Sequence, residues 1–339
     1  MKILYSKTLD GICIRRCFGL DGTVQIPTAV AGEPVTRLAA YLFSGSMGRA
    51  VRDQGGFKEP LYLWDCGENQ ETGIQGDAAD TEQCQGLPAV RGGGVEAVCL
   101  PDGVKAVGAY AFYGCENMKK LECGSTTTDW GAGAFTGCTG MERLSVRVLP
   151  GEKSCLKEIL SELRQALRVD IRSPEGELQA RLLFPEFYED SVENTPARII
   201  MREVHGCGHM YRYCFDGPDF DFREYDRLFP YARAQEPEEA VARMALYRLC
   251  FPQGLKPEAE AGYRAYIREH PAAAARAALA EQDSRVTACL VEAAKEREQL
   301  MAMIGEAGRA DDAAALALFM DRLHRHFKSG GPVKRRFEL

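Results

Sequence analysis

The chain has 339 residues, a formal net charge of −7, 45% hydrophobic and 27% charged residues. That length accommodates two or three domains with an ample core, and the acidic balance argues against a general nucleic-acid binder. No apolar run of about 18 residues occurs, so no transmembrane helix is expected.

Met1 to Lys7 carry no apolar run of secretory length, and the expected location is cytoplasmic. The 13 cysteines are then expected to be mostly free thiols, used as small buried hydrophobes. Residues 1–46 read as a degenerate first repeat. Gly11 to Ile14 and Thr23 to Pro27 alternate as half-buried strands do, with a turn at Gly32-Glu33-Pro34. Tyr41-Leu42-Phe43-Ser44-Gly45 closes the unit. Residues 47–94 break the pattern, apart from a candidate strand at Leu61 to Trp64. Their Gly, Gln, Glu and Asp content predicts an irregular insert looping off one side.

Residues 98–150 repeat. Val98-Cys99-Leu100 returns 23 residues later as Leu121-Glu122-Cys123, then as Leu144-Ser145-Val146 after another 23. Ala111-Phe112-Tyr113-Gly114-Cys115 returns as Ala134-Phe135-Thr136-Gly137-Cys138 at the same offset. Two unlike segments holding one period signify a solenoid. Val24, Ile26 and Pro27 align with Val98, Leu100 and Pro101 only if about five extra residues sit in the first unit's turn. Val98, Leu100, Leu121, Cys123, Leu144 and Val146 should point inward. Lys120, Glu122, Arg143, Ser145 and Arg147 should point outward and form the candidate binding surface. Cys115 and Cys138 fall at one repeat position, within stacking reach of each other. Buried thiols are favoured over a disulfide there.

The pattern IP-x-x-V-x-x-I-G-x-x-A-F-x-x-C-x-x-L-x-x-L resembles the BspA-like, or Treponema-type, bacterial leucine-rich repeats. Leu100-Pro101, Val104, Val107-Gly108, Ala111-Phe112, Cys115, Met118 and Leu121 carry it. Gly133, Ala134-Phe135, Cys138, Met141 and Leu144 carry it again. The resemblance implies a strand-lined solenoid that binds other proteins. It also implies, for surface-anchored members, adhesion to host or matrix partners, so a surface adhesin stands as a second alternative function.

Residues 151–235 read as an α+β capping or linking region. A helix with Leu156, Ile159, Leu160, Leu163 and Leu167 on one face starts near an N-cap at Ser154. Strands are expected at Val169 to Ile171, Leu178 to Phe184 and Ala197 to Val204, the last turning at His205-Gly206-Cys207-Gly208 into a partner strand over Met210 to Phe215. Asp221 to Phe229 reads as a short helix. Residues 236–327 read as an all-α domain of helical hairpins, with Val241, Met244, Ala245 and Leu249 on one stripe. Its further helices are expected at Pro257 to Glu269, Pro271 to Glu281, Ser284 to Ala293, Glu296 to Gly305 and Asp311 to Phe327. In the last, Leu316, Phe319, Met320, Leu323 and Phe327 form the apolar stripe. Residues 328–339 read as a polar tail.

The fold class is therefore α+β: a short leucine-rich-repeat solenoid, a small α/β hairpin region and a C-terminal helical-hairpin domain. No catalytic residue is assigned and no cofactor expected. His205, Cys207, His209 and Cys214 are the alternative, a Cys/His metal or enzyme module, but their spacing fits no standard zinc pattern. The acids Asp216, Asp219, Asp221, Glu224 and Asp226 miss the calcium-loop spacing. The basic residues near the end of the chain, Arg322 to Arg336, lack an aromatic platform for nucleic acid. The reading is a non-enzymatic interaction or adaptor protein with a protein or peptide partner, and neither nucleic acid nor membrane.

Overall fold

The computed structural model describes residues 1–46, 59–73, 83–149, 151, 154–194 and 199–327. The expected insert lies partly, and the expected tail over 328–339 wholly, outside these residues. The chain forms two compact units, Met1–Leu228 and Phe229–Leu339.

The first unit is a short β-solenoid in which the first three coils each give one strand to each of two sheets. The first sheet holds β3 (Thr23–Gln25), β10 (Ala97–Cys99), β12 (Lys120–Gly124), β14 (Arg143–Arg147) and β15 (Leu167–Arg172), all parallel, and ends on the antiparallel β16 (Leu178–Phe184). The second runs through the parallel β13 (Asp129–Trp130), β11 (Ala106–Val107), β5 (Glu33–Leu38) and β2 (Gly11–Phe18). It then continues antiparallel through β1 (Lys2–Thr8), β6 (Tyr62–Asp65) and β7 (Gln70–Gly73). Val24 pairs with Val98 and Leu38 with Val107, and the first coil's extra residues form a small hairpin of β4 (Ala29–Val30) with β5.

Inside, side chains stack coil on coil. Val24, Val98, Leu121, Leu144 and Val169 share one register row, each at most 2% exposed. Phe43, Phe112 and Phe135 stack with ring centroids 5.4 Å apart at both steps, close to the strand repeat. Each such ring contributes about 2–3 kcal/mol by burial, and the stacking adds about 1 kcal/mol. Gly108 and Gly131 are set by close approach: a Cβ at either would lie 2.2 Å from the backbone nitrogen of Ala40 or Ala109 in the preceding coil. One repeat position adopts positive φ in three successive coils, occupied by Tyr41 (58°), Tyr110 (56°) and Gly133 (65°). The Cys115 and Cys138 thiols are free, and they donate to the carbonyls of Phe43 and Phe112.

A solenoid must hide its last coil. Tyr110 and Phe112 donate their amides to Ala132 and Ala134 of the next coil. The equivalent amides of Gly133 and Phe135 face α1 (Leu156–Glu162), whose Glu162 carboxylate accepts them at 3.1 and 2.9 Å. One side chain thus supplies both acceptors that a further coil would bring.

Several local expectations change. The insert does not simply loop off: β6 and β7 extend the second sheet beyond β1. Strand β2 is buried on both faces, not half-buried: Phe18 packs with Leu4, Leu61 and Leu63 and against Cys84, Leu87 and Ala89 of the insert. Cys155, not Ser154, occupies the N-cap of α1, with no side-chain cap. Met210 to Phe215 is not the partner of the 197–204 strand. That strand, β18 (Ile199–His205), pairs with the preceding β17 (Tyr188–Asn194), and the chain then enters α2 (Gly208–Tyr211). Tyr211, Arg212 and Cys214 are the buried members, so a helical turn rather than alternation sets this segment. Asp221 caps α3 (Phe222–Arg227) by accepting from the amides of Arg223 and Glu224.

The second unit is all helical: α4 (Phe229–Gln235), α5 (Glu238–Cys250), α6 (Pro257–Glu269), α7 (Pro271–Glu281), α8 (Ser284–Ala293), α9 (Arg297–Arg309) and α10 (Ala313–His326). Helices α5, α7 and α9 pack side by side, with α6, α8 and α10 following as a second row. The stripe Val241, Met244, Ala245 and Leu249 is buried as expected. The last stripe is not: Phe319 is fully buried but Met320 is 54% exposed. Among the described residues no helix is long and apolar enough to cross a membrane.

Candidate functional site

The outward face of the first sheet gathers the five sequence-chosen residues into one patch. Register places Lys120 beside Arg143, Glu122 beside Ser145, and Gly124 beside Arg147. Lys120 and Arg143 are exposed, while Glu122, Ser145 and Arg147 are half-buried. Lys120 Nζ lies 2.6 Å from Glu122 Oε1, and the Cys99 thiol donates to Glu122 Oε2 at 2.8 Å. Burial works to raise the Glu122 carboxyl pKa, but these donors outweigh it and hold it low. Burial, and after it the hydrogen bond the thiol gives to Glu122, raises the Cys99 pKa to about 11. Arg147 is held by Asp102 at 2.8 Å. Arg143 makes no ion pair among the described residues.

The patch continues where sequence reasoning stopped. Arg168, Asp170 and Arg172 on β15 align with Arg143, Ser145 and Arg147, and Arg181 on β16 sits beside Asp170. The signal was present: Arg143-Leu-Ser-Val-Arg147 and Arg168-Val-Asp-Ile-Arg172 share a phase, offset by 25 rather than 23 residues. Asp170, 5% exposed, accepts from Arg181 Nε at 2.8 Å and Arg168 Nη2 at 2.9 Å, with Arg172 at 3.8 Å. Arg172 Nε also donates to Ser145 Oγ at 3.1 Å. The patch therefore carries Lys120, Arg143, Arg147, Arg168, Arg172 and Arg181 against Glu122, Asp102 and Asp170. It is a basic stripe on an acidic chain.

Asp170 makes this stripe pH-sensitive. Burial disfavours its charge, yet the guanidinium hydrogen bonds outweigh that and lower its pKa. A carboxyl lowered in the folded state contributes stability above the unfolded value of about 3.9, and loses it as pH falls through the folded value. Asp170→Asn is expected to cost about 2 kcal/mol at neutral pH, from the lost charge-assisted bonds. Urea unfolding should show the gap between variant and parent shrinking below about pH 4. An unchanged gap at low pH would mean that packing, not charge, sets the effect.

His205, Cys207, His209 and Cys214 do not form a common site. His205 stacks on Tyr188 at 4.6 Å between centroids, with Asp190 3.5 Å from its Nε2. His209 packs against Phe187 and Tyr213. Cys207 and Cys214 are fully buried, and burial pushes the Cys214 thiol up to about 12, away from the thiolate a metal needs. No group of three His, Cys, Asp or Glu side chains among the described residues is placed to hold a metal ion. The glycines of this motif serve packing: a Cβ on Gly208 would lie 2.1 Å from the Pro185 carbonyl oxygen. The acids after it are spent locally, Asp221 as a cap and Glu224 on Arg227.

The residue that organises this region is Arg212, 4% exposed. Its guanidinium donates to the carbonyls of Leu163, Gln165, Pro185 and Gly208, and lies over the Phe184 and Phe187 rings. Tyr225 adds a second tie, accepting from the Leu183 amide and donating to its carbonyl at the β16 edge. Nothing in the sequence marks either residue, because their partners are backbone atoms of distant segments.

Residues 92–159 match the family described as BspA type Leucine rich repeat region (6 copies). A solved structure, the crystal structure of T. pallidum Leucine Rich Repeat protein (TpLRR), aligns at 18% identity with a TM-score of 0.24, over 48% of this chain and 55% of that chain. No curated protein matches. The chain thus carries a BspA-like leucine-rich repeat region, followed by a helical part of its own.

Proposed function

We propose that the chain is a non-enzymatic interaction protein whose strand face binds a protein or peptide partner carrying carboxylates. A leucine-rich repeat region supports an interaction role in general. The observation that carries the finer reading is the exposed Arg143, without an ion pair among the described residues and in register between Lys120 and Arg168. A cation kept free beside neighbours that are mostly paired is available for an incoming anion. The strand face is rigid, so little ordering cost falls on the protein when a partner binds. The helical unit gives the chain room for a second partner, which makes it an adaptor. A cytoplasmic setting suits 13 cysteines that are all free thiols. Neither nucleic acid nor membrane is part of this reading.

The test is capture from native lysate, followed by affinity measurement with the recovered partner. Lys120→Glu with Arg143→Glu should weaken binding about tenfold, through two lost attractions and two new repulsions. Both side chains are exposed, so the fold should be unaffected. Equal recovery by parent and double variant would remove the strand face from the function.

A further inference from the structure

Among the described residues, the last helical hairpin leaves one face open. Between α9 and α10 runs a groove of about 570 Å³, lined by Arg297, Met301, Ile304, Met320, Leu323, His324 and Phe327. Ile304, Leu323 and Phe327 are half-buried and form its floor, while Met301 and Met320 are 49% and 54% exposed. A soluble monomer seldom leaves such a cluster uncovered without a use for it.

We propose that this groove is a docking site for an amphipathic helix with acidic flanks, supplied by a partner protein. The second partner of the adaptor reading is thereby given a chemistry, and the inference rests on that reading only for the presence of a second partner.

Three observations choose the occupant. First, Gly305 and Gly308 continue the face of α9 that presents Arg297, Met301 and Ile304, by helical spacing. A Cβ at either would meet nothing within 4 Å. Glycine weakens a helix interior, and no packing among the described residues repays it at either position. Their benefit is to let a third helix approach α9 closely, at the short end of the usual interaxial range. Second, the groove wall carries a positive charge at Arg297 and no acid lines it, while the nearby Asp321 is held by Arg325 at 2.9 Å. Third, the two exposed methionines give an adaptable surface of the kind used to grip apolar helix faces.

The same charges reject the other occupants. Residues 328–339 carry Lys328, Lys334, Arg335 and Arg336 against Glu338, so they match the rim in sign rather than complement it. A second copy docked face to face would bring another Arg297, and no acid from its own groove lining, into the same interface.

A displayed library of amphipathic helices of roughly 18 residues, about five turns, with acidic, neutral or basic flanks, tests this on the full chain. Selected peptides should be acidic-flanked, with apolar residues at helical spacing. Their affinity, read by fluorescence anisotropy, should fall about tenfold in Gly305→Leu and in Arg297→Glu. Gly305→Leu enters open space on an exposed helix face, and circular dichroism should show it folded. Lys120→Glu with Arg143→Glu should leave the affinity unchanged, which separates this site from the strand face. The proposal is overturned by a library that yields no binder, by basic or flank-indifferent winners, or by affinity indifferent to Gly305→Leu. It is equally overturned if truncation after Phe327 strengthens binding tenfold, which would make residues 328–339 the occupant. A dimer in sedimentation that Gly305→Leu dissolves would make it a second copy.

Discussion

Replacing Arg212 by methionine is expected to destabilise the first unit by about 4 kcal/mol, because carbonyls buried with the guanidinium lose a charged donor and stay dry. Four acceptors on three separate segments converge on this one group: Leu163 and Gln165 after α1, Pro185 after β16, and Gly208 in α2. Methionine fills much of the volume and keeps contact with Phe184 and Phe187, so the loss isolates the hydrogen bonds. Lysine should recover little of it, since a single ammonium cannot reach four carbonyls arranged around a planar fork. For a unit of this size the cost corresponds to a melting transition lower by about 10 °C. Calorimetry on the parent and both variants decides it. Should Arg212→Met unfold within 1 °C of the parent, the cap is held by its apolar contacts alone.

This residue also marks the limit of what sequence periodicity conveys. The 23-residue offset of Phe112 and Phe135 is legible because each coil repeats the same local problem: a ring above a ring, a strand beside a strand. The first coil is legible too, once β4 is allowed as an expansion of its turn. The patch was half legible. Lys120 to Arg147 sit within the strict period, whereas Arg168 to Arg172 fall two residues out of it, because α1 replaces a coil's return limb. The region after β16 was hardly legible. Met210 to Phe215 reads as an apolar and aromatic strand, yet it is a helical turn whose one charged residue, Arg212, is buried on long-range carbonyls. Glu162 belongs to the same class. Its value lies in two amides of Gly133 and Phe135, which only the ending of the solenoid leaves open. A periodic sequence announces how a repeat is built and stays silent on how it is finished.

The second large effect lies within the repeat itself. Gly108→Ala is expected to cost about 3 kcal/mol, although alanine is a small residue and the position is within a regular coil. The added Cβ would stand 2.2 Å from the Ala40 nitrogen and 2.6 Å from the Ala39 carbonyl carbon. Both are backbone atoms of the neighbouring coil, so no rotamer change relieves the contact. The coils would have to part. Parting them strains the hydrogen bond from the Gly108 amide to Leu38 at 2.9 Å and loosens the stack of Phe112 on Phe43. Gly131, whose Cβ would meet Ala109 at the same 2.2 Å, should respond alike. Ala39 occupies the corresponding place in the first coil, beside β2 rather than a further coil, and there a Cβ is accommodated. Ala39→Gly is therefore the control: it should cost about 1 kcal/mol or less, through chain entropy alone. Urea midpoints for the three variants give the answer. Losses under about 1 kcal/mol at 108 and 131 would show that the coils accommodate the added Cβ, and that coil-to-coil contact does not select glycine.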